Sequence, residues 1–496
     1  MSTKAQQVRE DEITIGNSEL PEGWCSAFMG DICDVVGGGT PKSTQENNFS
    51  QSGFAWITPA DLSGYEEIYI SKGARSLSEK GLRACSAIEM PPGTVLMSSR
   101  APIGYLAIAA NTISTNQGFK SFVLAEGFVP EYCYYWLKYK RSDLEQMGSG
   151  STFLEISGSR AKEIPIIVAP TSEQERISEE LTCILSASKA PLKRMERVKL
   201  ITQRFRQAVL AAACSGKLTE DWRKTHSPES AMERWQIATP PIVDAELPDL
   251  PDGWVYRRLE DVSERVSVGH VGPTSLHYCQ RKEGVPFVRS QNVRPGMLDL
   301  SGLNYITRSF HVSLRKSQLI SGDLLIVRVG ANRGDACIVP DSLGEANCAN
   351  IVFARPYKGI SDYLGLYCQS PVGNDRLLDM STGSAQGVIN TQAVATLPIP
   401  IPPEEEQDEI VRRVEALFKL GDVIEQRVAA ASLRAEKLTQ AILAKAFRGE
   451  LVPTEAELAR REGREYESAS VLLERIQAEE RAPQQPRRRR GSDNPN

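Results

Sequence analysis

From Ile177 the apolar residues of this chain recur in alternating steps of four and three: Ile177, Leu181, Ile184, Met195, Val198, Phe205, Val209 and Ala212, with Ser188, Pro191 and Thr202 filling the remaining places. A second run opens at Ile410 and passes through Val414, Leu417, Gly421, Ile424, Val428, Ala431, Ala435, Leu438, Ile442 and Lys445. Such spacing predicts two long helices of coiled-coil type. Each is opened by an acidic turn (SEQE, EEEQ) behind Pro170 or Pro403 and closed by Gly216 or Gly449. About 40 helical residues rise roughly 60 Å, too far for one small domain to cover, so the two helices are expected to pair antiparallel through their largely apolar seams. Pro191 is expected to kink or locally break the first helix.

Ahead of each helix the pattern changes to short β-rich runs such as VLMSS and LLIVRV, punctuated by Gly and Pro, as in a compact α/β or mostly β domain. The two stretches are copies of one another at an offset of about 230 residues. LPEGW (20–24) returns as LPDGW (250–254), and FAWITPADL (54–62) answers to VPFVRSQNV (285–293). PGTVLMSSRAPIGYLAIA (92–109) lies opposite SGDLLIVRVGANRGDACIV (321–339), STNQGF (114–119) opposite CANIVF (348–353), and PEYCYYWLK (130–138) opposite SDYLGLYCQ (361–369). The best matches come last: GSTFLEIS (150–157) with GSAQGVIN (383–390), IPIIVAPTSEQERI (164–177) with LPIPIPPEEEQDEI (397–410), and QAVLAAACSGKL (207–218) with QAILAKAFRGEL (440–451). Solenoid repeats run at about 20 to 50 residues, so this period marks a duplicated domain. The expected fold class is α+β: two tandem α/β domains joined by two long antiparallel coiled-coil helices. The expected divisions are an extension at 1–19, a first domain at 20–170, a helical spacer at 171–219, a linker at 220–249, a second domain at 250–403, a second helical spacer at 404–451, and a helical segment with a disordered basic tail at 452–496. PES (228–230) and YES (466–468), each before an apolar run, read as repeated helix caps.

Composition adds exclusions. A hydrophobic content of 41% suits a globular chain. The first twenty residues have no apolar core and no run approaches 18 apolar residues, which sets the expectation of a cytoplasmic protein. The ten cysteines form no CxxC pair and the four histidines (His226, His270, His277, His311) are dispersed, so buried thiols are expected and metal binding is not. A net charge of −5 speaks against a protein that coats nucleic acid by bulk electrostatics, though not against local basic surfaces. Residues 250–400 hold 15 Lys and Arg against 13 Asp and Glu, 12 of the 15 being arginine; residues 20–170 hold 12 against 15. Arginine is the side chain shaped for bidentate contact with guanine. The chain has no GxxxxGK[ST], HExxH or GxSxG, nor an Asp-Pro-Pro-Tyr type tetrapeptide, and GGGTP (37–41) lacks a dinucleotide-binding pattern. Two dissimilar copies held on a rod point to a measuring device rather than an enzyme.

Several elements in this order are familiar together: the L-P-x-G-W openings, G-G-T-P, S-R-x-x-I-G-Y-L-A-I, N-Q-G-F, and P-x-x-E-Q-x-x-I leading into a helix that closes on Q-A-x-L-x-x-A-x-x-G-x-L. Nearly the whole chain resembles the specificity subunit of a type I restriction-modification system. The resemblance implies two target recognition domains, each reading half of a bipartite double-stranded DNA site, with the helices as a ruler that also binds two methyltransferase subunits. Restriction subunits with translocase activity would join them. S-adenosylmethionine, ATP and Mg would belong to those partners, and no cofactor to this chain. Side chains able to read base edges sit on turns beside predicted strands: Thr40, Lys42, Ser99, Arg100, Asn116 and Gln117 in the first copy, and Arg289, Gln291, Asn292, Arg328, Asn332, Arg333 and Asn350 in the second. Arg100 and Arg333 stand out because each lies in a glycine-flanked loop. Lys42, Arg315 and Lys316 are candidates for phosphate contacts. On the residues alone two other readings stay open, a methyltransferase or nuclease with divergent motifs and a coiled-coil adaptor that binds no DNA.

Overall fold

A computed structural model describes residues 20–100, 102–148, 154–226, 239–380 and 387–481. It divides into two units, one formed by residues 1–193 with 431–496 and the other by residues 194–430. The long helices run Thr171–Cys214 and Glu404–Ala446, and each contributes one part to each unit.

The domain part of each unit repeats one central arrangement with different edge strands. In the first, a five-stranded sheet has the order Cys33–Gly37, Phe119–Leu124, Val95–Ser98, Leu106–Ala109 and Tyr69–Ile70. A four-stranded sheet has the order Phe49–Ser50, Arg75–Leu77, Phe54–Ile57 and Ser114–Thr115. In the second, the corresponding sheets are Ser263–Val268, Ile351–Pro356, Leu324–Val327, Ala336–Ile338, and Asn304–Thr307, Gly284–Val288, Ala346–Cys348, Gln318–Leu319. One parallel pairing recurs at the same place, Trp56 opposite Ser114 in one copy and Phe287 opposite Asn347 in the other. A separate ribbon pairs the strand after each LPxGW with the strand entering the long helix: Cys25–Phe28 with Pro165–Val168, and Val255–Arg258 with Pro398–Ile401.

The repeated pentapeptide has a mechanical role. Gly23 and Gly253, both at φ 85°, take the left-handed corner of a turn closed by Trp24 N–H to Pro21 O and Trp254 N–H to Pro251 O. Pro21 then packs on Gly449 and Pro251 on Gly216, the left-handed glycines that end the long helices; a Cβ at either glycine would stand 2.5 Å from proline Cγ. In the second unit the Trp254 indole donates to Glu406, a buried carboxylate in the first turn of the second long helix, at 2.8 Å. Thr219 also donates to Glu406 at 2.6 Å, and Arg223 forms its ion pair. In the first unit Glu173 holds the equivalent place and accepts the backbone N–H of Glu455 at 2.8 Å, while Tyr466 and Arg460 hold the turn around Gly23 and Glu22. Thus 217–226 in one unit and 452–481 in the other serve as the same strap.

Within each unit the helix parts run antiparallel. In the first, Ile177, Leu181 and Leu185 share a core with Leu443, Ala446 and Phe447. In the second, Val209, Leu210, Ala213 and Cys214 share one with Ile410 and Val414, and Arg206 pairs with Asp422 at 2.6 Å. The expected seam is buried at Ile177, Leu181, Val209, Ile410 and Val414 and is corrected elsewhere: Ile424 and Leu438 are 41% and 61% exposed, while Leu443, outside that register, is fully buried. A 3.5-residue count drifts about 20° per heptad around a straight 3.6-residue helix, and the burying surface at each end is the domain rather than a helical partner alone. Of the kink or break expected at Pro191, the break is corrected, since the helix runs uninterrupted through it. The YES cap is observed, with Ser468 Oγ accepting Val471 N–H at 3.4 Å before the helix Ala469–Arg481. PES and the Arg487–Arg490 tail lie outside the described residues.

Candidate nucleic-acid interface

Loops distant in sequence meet at one end of each domain, and they are the same loops in both copies. In the first domain the turn Pro59–Leu62, the hairpin-loop residues 99–100 and 102–105, the turn 115–118 and the segment 154–157 come together. Ser99 N–H donates to Gly118 O (2.8 Å), Asn116 N–H to Ile57 O (2.9 Å), and Ile156 N–H to Ser99 O (2.9 Å). In the second domain Ala349 N–H donates to Val288 O (3.0 Å) and Ile389 N–H to Arg328 O (3.1 Å), repeating the second and third of these bonds.

The candidate side chains divide by what they touch. Ser99 is buried and donates its hydroxyl to Gly118 O, and Asn292 is buried, accepting Arg289 N–H at 3.0 Å and donating to Asp299 O. Asn116 accepts Gly118 N–H at 2.9 Å. Asn332 donates to Ser290 O at 2.8 Å and to Val293 O at 3.3 Å, tying two reading loops together. These four hold loops in shape, because turns recruit the short polar side chains they carry. Arg333 donates one guanidinium N–H to Gly387 O at 2.6 Å, leaving donors of its fork for other partners. Thr40, Lys42, Gln117, Arg289, Gln291 and Asn350 are exposed, and Arg100 and Arg328 half-exposed. Thr40 hydrogen-bonds Gln117. Asn350, at φ 55°, has left-handed backbone, which Asn tolerates and which turns the chain outward beside Ser290. Arg315 and Lys316 are exposed on a separate turn, Arg315–Ser317.

Two charged residues at these loops were not among the candidates. Glu155 bridges to Arg100 through the backbone and pairs with Lys120 at 3.3 Å, so the first domain carries a carboxylate beside its main arginine. Its signal was the repeated stretch 150–157. Arg294 is exposed on the short strand Val293–Arg294, and the burial that raises the Asp335 carboxyl above its usual range is opposed by the Arg294 charge. A loop cluster of guanidinium, amide and hydroxyl groups suits base edges and phosphates; a carboxylate among them accepts from cytosine N4. Among the described residues no group of three or more His, Cys, Asp or Glu could hold a metal ion, and no helix is long and apolar enough to cross a membrane.

Comparison with known proteins follows the same division. The family described as type I restriction modification DNA specificity domain matches residues 21–193 and 251–431. The chain is 27% identical over 489 residues to the EcoKI specificity subunit of Escherichia coli (strain K12), spanning 94% of this chain and 97% of that one. It is 31% identical over 344 residues to the Escherichia coli EcoBI specificity subunit, spanning 67% and 68%. Identity to the MjaIX specificity subunit of Methanocaldococcus jannaschii is 34% over 282 residues, 56% of this chain and 60% of that one. Among solved structures, a chain from work on complex assembly and conformational transition of the type I R-M system aligns over 88% of this chain and 100% of its own, with a TM-score of 0.58 at 18% identity, a likeness of fold.

Proposed function

Because the chain belongs to the family of type I restriction modification DNA specificity domains, we propose that it selects a two-part DNA site for a methyltransferase that binds it, each domain reading one part. One observation carries this reading. The same loops meet at the same end of both domains while the exposed and half-exposed side chains on them differ, Arg100 and Gln117, with Thr40 bonded to the latter, against Arg289, Gln291, Arg328 and Asn350. Equal frameworks with unequal side chains suit two different half-sites. The long helices set the number of unread base pairs between them. Apolar residues left exposed on the second long helix, Leu420, Val423 and Ile424 in one unit and Leu433 and Leu438 in the other, offer the methyltransferase its footing. Catalysis belongs to the partners, where S-adenosylmethionine, and ATP with Mg in any restriction subunit, would be bound.

The test is co-expression with a candidate methyltransferase followed by retention of DNA duplexes. The complex should hold a duplex carrying the host's methylated motif and release one with either half scrambled. Methyl transfer by the chain alone, or equal retention of scrambled duplexes, would contradict the reading.

A further inference from the structure

The first long helix carries more charge than its ion pairs use, since within 189–206, among the described residues, only Lys189, Lys193 and Arg206 are paired with acids. Between residues 189 and 206 there are seven Lys or Arg and a single acid, Glu196. Within the second unit, steps of three, four and three from Arg194 reach Arg197, Ile201 and Arg204, which keeps them in one row on a 3.6-residue helix. Thr202 and Val209, buried on this helix, lie about a third of a turn away. All three arginines are exposed, and among the described residues none has an acidic partner. Their neighbours are different: Arg206 is paired with Asp422 and Glu425, and across the same unit Arg223, Arg355 and Arg413 are paired as well.

The row also leads toward the reading loops. Phe205 belongs to the same core cluster as Leu378 and Met380. The helix Pro371–Asp379 in turn holds the loop 328–335, with Asn374 donating to Gly334 O at 2.8 Å and Leu378 against Gly334. From Arg194 to Arg204 the rise is about 15 Å, close to the length of four base pairs at roughly 3.4 Å each.

We propose that Arg194, Arg197 and Arg204 grip the phosphates of the unread base pairs between the two half-sites, so that the first long helix is a backbone-binding surface as well as a spacer. This rests on the two-part reading above. Unopposed guanidinium groups in a row match a phosphate backbone and carry no base information. Leu200 and Ile201 are exposed beside them, 50% and 61%, which makes a protein surface the competing occupant.

The experiment compares the full chain, in complex with its methyltransferase, to R194Q/R197Q/R204Q, with K199Q as a control because Lys199 lies about half a turn round the helix. The probe is a duplex carrying both half-sites and the gap read from the host's methylated bases. At about 0.9 per phosphate contact, the slope of log K against log salt should become shallower by about 2 to 3 in the triple variant and stay unchanged in K199Q. Methylated half-sites and gap should both be the same as for the unaltered chain. A wild-type slope in the triple variant would overturn the proposal, and so would loss of the methyltransferase from the complex, which would assign the row to a protein. Failure of the unaltered chain to select a two-part site would sink the underlying reading instead, and that is seen before any variant is made.

Discussion

Glu173 and Glu406 stand three residues after Pro170 and Pro403, fully buried, and the two copies treat them differently. Burial raises the Glu173 carboxyl above its usual 4.5; the Glu455 N–H, the Trp24 indole and the Arg176 charge oppose this, and the charge of Glu455 adds to it. A raised carboxyl contributes stability that is full below its unfolded value and lost as pH rises through the folded one. Replacing Glu173 by Gln should therefore give a protein as stable as the parent near pH 4 and increasingly more stable toward pH 8. Paired thermal melts across that range check it, and a gap that stays constant or favours the parent at high pH would contradict it. Glu406 has the Arg223 counter-ion. In Glu406→Gln the guanidinium, only 15% exposed, loses its partner at a cost of about 3 kcal/mol. Hydrogen exchange should rise in peptides spanning 250–262 and 404–414, and unchanged protection there would count against the strap. The sequence shows that the two positions correspond. It does not show which charge meets them, because Arg223 and Glu406 are 183 residues apart and the first copy uses a different strap.

The existence, length and direction of the long helices were legible, since acidic openings and closing glycines flank both. The buried face was not. A register counted at 3.5 selects Ile410, Val414, Ile424 and Leu438 alike, whereas domain packing buries the first two together with Leu443, which the count misses, and leaves Ile424 and Leu438 exposed. Leu443→Ala should cost about 3 kcal/mol, and Leu438→Ala less than about 0.5 kcal/mol. Denaturant unfolding of the two variants decides between the registers, and equal losses would restore the 3.5-residue register. The ruler has its own test. Four residues inserted beside Ser188 add about 6 Å of rise, enough for on the order of one to two base pairs at roughly 3.4 Å each. Single-molecule sequencing of methylated bases should show a longer gap between unchanged half-sites; an unchanged gap would contradict a ruler built from this helix.

At the scale of the whole molecule the duplication explains why the domain pair was readable from sequence and its reading residues only partly so. Turn positions in both copies carry Asn, Ser and Arg, and the structure turns Ser99, Asn116, Asn292 and Asn332 inward to hold those turns. Residue type alone does not separate a loop brace from a base reader. The bonds these side chains make to loop backbone do, and they leave Arg289 and Gln291 of the second domain exposed. The most direct test is methylated-base sequencing in cells carrying the methyltransferase with either the parent chain or Arg289→Ala/Gln291→Ala. Two conserved blocks with a fixed gap are expected for the parent. In the variant one block should relax, losing roughly 1 to 3 kcal/mol of discrimination per good contact, while the other block and the gap stay as they were. Equal loss in both blocks, or a single uninterrupted motif in the parent, would contradict two independent readers on one chain.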